Sequence, residues 1–156
     1  MSKQRGVVHI MRGPAGAGKS HFTALIPSTV CSADHFWEYH GIEFDSARLA
    51  EAHSWCELQF ALALHARKPV IVVDNTGIHA WEWRKYAAIA KLVDYDVVIN
   101  EFVPHTIEGI RICRDRNVHS VPPRTVYAMA IEFEPVAPSE PFVDNVIQHS
   151  IQRAPS

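Results

Sequence analysis

Residues 7–20 read VVHIMRGPAGAGKS, an apolar run with one arginine followed by a glycine loop that closes in Lys-Ser. The run is a buried-strand candidate over 7–11. The loop satisfies G-x-x-x-x-G-K-[ST], with Gly13 and Gly18 at the spaced positions. Glycines there let consecutive backbone N–H groups turn toward an anion, and the helix N-terminus that follows adds a favourable dipole. An ordinary glycine-rich turn is the alternative, which the strand before and the helix after oppose. Gly13, Ala15, Gly16, Ala17, Gly18, Lys19, Ser20 and His21 are therefore candidates to bind a nucleotide. In such a site Lys19 reaches the β- and γ-phosphates of ATP and Ser20 places its hydroxyl on Mg2+.

Outward from this stretch, short apolar runs alternate with longer helical patterns. Strand candidates follow at 29–32, at Val70–Asp74 (VIVVD), at 96–103 and at 143–148. Helices are expected over 19–26, where Pro27 ends the pattern, over 46–67 behind a cap at Asp45 or Ser46, and along Trp83, Tyr86, Ala87, Ala90 and Val93. Two more are expected over 106–116 and 122–133, the last opened by Pro122-Pro123. A connection at 117–121, a proline-rich loop before the last strand and a frayed end complete the reading. Strand–helix alternation implies an α/β fold with a parallel sheet of five strands and helices on both faces. Ligands in such sheets bind at the carboxyl ends of the strands.

The chain of 156 residues suits one domain. With 47% hydrophobic and 21% charged residues it has ordinary globular composition. A net charge of −2 supplies no global basic field for nucleic acid, so any such contact is expected to be local. Three cysteines, Cys31, Cys56 and Cys113, are too few and too widely spaced for a disulfide framework or a C-x-x-C metal site and are expected to be reduced and buried. No stretch approaches a membrane span and the first residues lack a signal-peptide apolar core, so the expected location is cytoplasmic.

Two carboxylates fall at strand ends. Asp34, in SADHFW after the second strand, is a general-base candidate for an acceptor hydroxyl, or else the cap of a short helix over His35–Trp37. Asp74, closing VIVVD, is a metal carboxylate or else the first residue of a DNTG turn. Residues 111–117, RICRDRN, supply Arg111, Arg114 and Arg116 as cations for the transferred phosphoryl group, with a solvated helix face as the bland alternative. As a set they read as a lid. His53 is a second-tier candidate whose alternative is a core histidine. Trp37, Tyr39 and Phe44 could stack an acceptor base or fill the core.

Taken in order, GPAGAGKS, SADHFW, FDSARLAEAHSWC and VIVVDNTG resemble the P-loop kinase domain of polynucleotide 5′-hydroxyl kinases. AEAHSWC and RNVHSVP look closer to a smaller branch of bacterial and phage AAA-type ATP-binding proteins. The resemblance implies a three-layer P-loop NTPase fold in a single kinase-like domain, with ATP and Mg2+ as cofactors. It implies Lys19 and Ser20 at the triphosphate and metal, Asp34 as general base, Asp74 at the strand end, and Arg116-Asn117 opening the lid. The implied acceptor is a nucleic-acid 5′-OH end. Two departures are visible: Trp37 stands where the family can carry an acceptor-phosphate arginine, and His119 falls near the lid's catalytic arginine. Trp37 and the low net charge leave room for a nucleoside, a small alcohol or a hydroxymethylated DNA base as acceptor, and an ATP-binding switch that hydrolyses ATP slowly or not at all is a third reading.

Overall fold

The computed structural model describes residues 5–104, 106–116 and 121–151. Five parallel strands, β1 (Val7–Arg12), β2 (Thr29–Cys31), β3 (Val70–Asp74), β4 (Asp96–Glu101) and β5 (Asn145–Gln148), form one sheet in the order β2-β3-β1-β4-β5. The helices are α1 (Lys19–Ala24), α2 (His35–His40), α3 (Leu49–His65), α4 (Ala80–Leu92), α5 (Ile107–Asp115) and α6 (Pro123–Glu132). Alternation along β1 sends Val8 and Ile10 to a core shared with α2, α3 and α4. Met11 faces the other way, into a core with Cys113 of α5, Val126 of α6 and Phe22 of α1. The inner strand β3, between β2 and the central β1, is covered on both sides. Ile71 and Val72 are 0% exposed and Val73 2%, each contributing roughly 1.5–3 kcal/mol by burial.

Several element boundaries differ from the sequence reading, four of them for a local reason that the hydrogen bonds and packing show. The amides of Leu25 and Ile26 bond back three residues, to Phe22 and Thr23, so α1 stops at Ala24 before Pro27 acts. The expected helix over 46–67 opens as a 3-10 turn at Ser46–Arg48, capped by Asp45 Oδ1 on the Ala47 amide at 2.9 Å, and becomes α-helical at Leu49. β4 ends at Glu101, beyond which Phe102 packs into the α5–α6 core. β5 begins at Asn145 because the Asp144 carboxylate, at 2.7 Å, takes the Val97 amide that a strand carbonyl would otherwise bond. The connection at 117–121 extends beyond the described residues, as does the chain end, and Asn117 and His119 lie outside them. No helix among the described residues is long and apolar enough to cross a membrane.

Candidate active site

Lys19, Ser20, Asp34 and Asp74 gather at the carboxyl ends of β1, β2 and β3. The loop after β1 turns through Gly16 at φ +79° and Gly18 at φ +103°, a region costly for residues bearing a Cβ. A Cβ at Gly16 would also run into the carbonyl oxygen of Cys113, so the last turns of α5 rest directly on this loop. Lys19 is 8% exposed, and its Nζ folds back to donate to Gly13 O at 2.8 Å and Pro14 O at 2.9 Å. Burial pulls the Lys19 pKa below its ordinary value, opposed by the nearby Asp74, Cys113 and Asp34. The exposed Ser20 donates its hydroxyl to Asp74 Oδ2 at 3.0 Å. Burial raises the Asp74 carboxyl, while Lys19 and the Ser20 hydrogen bond hold it down and Asp34 pushes it further up. Lys19, Ser20, Asp74 and Asp34 thus form one electrostatic group.

Each residue of DNTG bonds a different segment. Asp74 takes Ser20 of α1, and Asn75 Oδ1 accepts the Ala33 amide at 2.9 Å, beside Asp34. Thr76 O accepts the Gly13 amide at 2.8 Å, and Gly77 O accepts Arg12 Nε at 2.6 Å. The stretch is therefore a turn and a site component together. Asn75 also donates to Cys56 Sγ of α3 at 3.6 Å, which ties the Ala33–Asp34 turn to the helix behind it.

Asp34 occupies the N-cap position of α2, but its side chain makes no cap hydrogen bond and is exposed. Of the arginines, Arg114 bonds its neighbour Asp115 at 3.1 Å. Burial raises the Cys113 thiol, while Lys19 and the half-buried Arg116, just past the end of α5, pull it down. Arg111 and His21 are exposed, on α5 and on α1 beside Ser20. His53 is half-buried on α3, away from these contacts. Trp37 lies in the core at 9% exposure, which disposes of it as a stacking platform, while Tyr39 and Phe44 remain exposed at 75% and 62%. Asn75 was missed as a site residue and Arg12 as a support behind the loop. Both stand inside stretches quoted for other members, and the only available signal was that adjacency.

The family described as AAA domain matches residues 8–135. The chain belongs to the AAA domain family. Among curated proteins, this AAA domain is similar to NEDD4-binding protein 2 of Homo sapiens, 29% identical over 137 residues that make up 82% of this chain and 8% of that protein. Among solved structures it is similar to a kinase candidate from Chloroflexus aurantiacus j-10-fl, with TM-score 0.69, 11% identity and coverage of 96% and 87% of the two chains. It is also similar to a chain of the Pnkp1/Rnl/Hen1 RNA repair complex, with TM-score 0.62, 16% identity and coverage of 85% and 45%. These likenesses give the AAA domain a P-loop kinase-like fold.

The residues present fit a nucleotide with its cation. The loop's glycine turns and the buried lysine suit a polyphosphate, and the Ser20–Asp74 pair presents two oxygens side by side. No three His, Cys, Asp or Glu side chains cluster as a metal cage among the described residues. A divalent ion at Ser20 and Asp74 would draw the rest of its shell from phosphate oxygens and water, as Mg2+ does.

Proposed function

We propose that this AAA domain is a Mg2+-ATP-dependent kinase that moves the γ-phosphate to an acceptor hydroxyl, with the 5′-OH end of DNA or RNA as the leading acceptor. The observation that carries the reading is Asp34: an exposed carboxylate at the end of β2, spared from capping α2, in the electrostatic neighbourhood of both Lys19 and Asp74. Bound Mg2+-ATP supplies the electrophilic phosphorus and the divalent charge. Asp34 takes the proton as the acceptor oxygen bonds to phosphorus and the bond to the ADP oxygen breaks. Lys19 leaves the Gly13 and Pro14 carbonyls for phosphate oxygens, and Arg116 adds positive charge as negative charge redistributes. Likeness to a component of an RNA repair complex supports a nucleic-acid end.

One observation favours a second acceptor class. Trp37 is buried at the position where the family can hold an acceptor phosphate, so that turn offers no cation to a 3′-phosphate. A nucleoside or other small alcohol fits such a site.

Transfer of labelled γ-phosphate to 5′-OH DNA, 5′-OH RNA, 3′-nucleotides and free nucleosides tests both readings, with Lys19→Ala as control. Asp34→Asn is expected to keep ATP binding and lose about 10²–10⁴-fold in transfer. Unchanged transfer by that variant removes Asp34 as base. Raising salt separates the acceptors, because counterion release weakens a nucleic-acid acceptor and spares a neutral small one.

A further inference from the structure

Arg12 ends β1 immediately before Gly13, and it is 0% exposed. Its Nε donates to Gly77 O at 2.6 Å, and Nη2 donates to Ile78 O at 3.1 Å and Glu134 O at 2.6 Å. Nη1 lies 3.7 Å from Glu101 Oε1, within ion-pair reach but short of a hydrogen bond. The guanidinium stacks over Phe133 at 4.2 Å and stands 5.3 Å from the Trp83 ring. Burial lowers its pKa to about 10, with Glu101, Glu134 and Glu82 opposing, so it stays charged at neutral pH. Removing a charge from water costs several kcal/mol even after relaxation. An apolar side chain would leave the Gly77, Ile78 and Glu134 carbonyls and the buried Glu101 carboxylate without this partner, which points to a task that only a planar cation performs.

The chain between β4 and β5 suggests the task. It leaves the sheet at Phe102, whose amide bonds the Arg12 carbonyl at 2.8 Å, and it returns after α6 at Phe133 and Glu134, which the Arg12 side chain holds. The Glu134 amide bonds Ile78 O at 2.9 Å and the Glu134 carboxylate takes the Ala80 amide at 2.9 Å, so the return point is seated on the loop behind DNTG. Between these ends, α5 lays the Cys113 carbonyl against Gly16. Both ends of the α5–α6 arm, which carries Arg114 and Arg116, therefore converge on the residue that opens the phosphate loop. We propose that Arg12 is a positioning residue that seats the α5–α6 arm on the phosphate loop and couples nucleotide occupancy to the order of that arm. It touches no reacting atom. The inference rests on the nucleotide-binding reading of the loop and is independent of the acceptor.

Lysine keeps the charge but lacks the fork that bonds carbonyls of two segments and the flat face that meets Phe133. The test is hydrogen exchange of α5 and α6 amides in the full chain, with and without Mg2+ and a non-hydrolysable ATP analogue, alongside calorimetric titration of the analogue. Wild type and Phe133→Tyr are expected to show analogue-dependent slowing of about tenfold or more across the arm. In Arg12→Lys and Phe133→Leu the slowing is expected to fall below about threefold while affinity for the analogue changes little. Phe133 is only half-buried, so its variants carry the test if Arg12→Lys fails to fold. Equal slowing in wild type and Phe133→Leu overturns the inference, as does an arm that ignores bound analogue in wild type. Failure of wild type to bind the analogue overturns the nucleotide reading and this inference with it.

Discussion

Asp74 shows how a single residue can serve a site at the expense of the fold. Desolvation raises its carboxyl pKa above the unfolded value, outweighing Lys19 and Ser20. A raised folded pKa contributes stability that is fully present below the unfolded pKa and lost as pH rises through the folded one. In its ionised form the buried carboxylate is thus a burden on the empty protein. Asp74→Asn keeps an oxygen to accept from Ser20 and removes the burden. Its thermal midpoint without nucleotide at pH 7 is expected to exceed wild type by calorimetry. Mg2+-dependent turnover is expected to fall about 10- to 100-fold from a weakened hold on the cation. A variant that is both less stable and fully active contradicts this account.

At the scale of elements, the phosphate loop is shaped as much by α5 as by its own glycines. Gly16→Ala places a methyl group against the Cys113 carbonyl, whereas a Cβ at Gly18 meets nothing within 4 Å. Both positions have positive φ, so Gly18→Ala carries a backbone cost of roughly 1–2 kcal/mol. Gly16→Ala carries that cost and must also displace the helix. Titration with ATP is expected to find binding weakened in Gly18→Ala and abolished in Gly16→Ala; equal affinities would show that α5 does not constrain the loop. The strands around this loop were legible because β-branched runs such as VIVVD bury both faces. The six-residue α2 was visible only as a short helix for Asp34 to cap, being too short for periodicity to register. Asp34 and Asp74 were legible because they stand at strand ends, and Lys19 and Ser20 because they close the glycine motif at the start of α1. Arg12 was not, because its carbonyl partners lie 65, 66 and 122 residues away and its local surroundings read as an ordinary strand end.

The whole molecule is closed on the α1 side by a polar link between strands. His149 Nε2 donates to Asn100 Oδ1 at 2.9 Å, and Asn100 Nδ2 donates to His9 Nδ1 at 3.1 Å, joining β1, β4 and the segment after β5. His149 also stacks on Phe102, with ring centroids 4.3 Å apart. Desolvation lowers both imidazole pKa values, so the folded protein binds these protons less readily than the unfolded chain does. Their contribution to stability is complete above roughly pH 6.5 and is lost as pH falls through the lower folded values. Thermal midpoints are expected to be level from pH 8 to about 7 and to decline below about 6.5, less steeply in His149→Gln. Asp144, held low chiefly by its Lys91 and Val97 hydrogen bonds against a desolvation penalty, adds a separate loss in the carboxylate range below. A profile unchanged by His149→Gln assigns the decline elsewhere.

The three thiols carry a practical consequence. Cys31, Cys56 and Cys113 are all buried, and burial raises each of them, Cys31 to about 12 and Cys113 to about 11. The reactive thiolate is therefore scarce at neutral pH and sealed from alkylating reagents in the closed protein. Cys113 differs from the other two in where it sits, with its own carbonyl on Gly16 and with Lys19 and Arg116 acting on its thiol. The natural chain thus contains its own stopwatch: the rate at which Cys113 is alkylated counts how often the roof over the phosphate loop lifts, with no label attached.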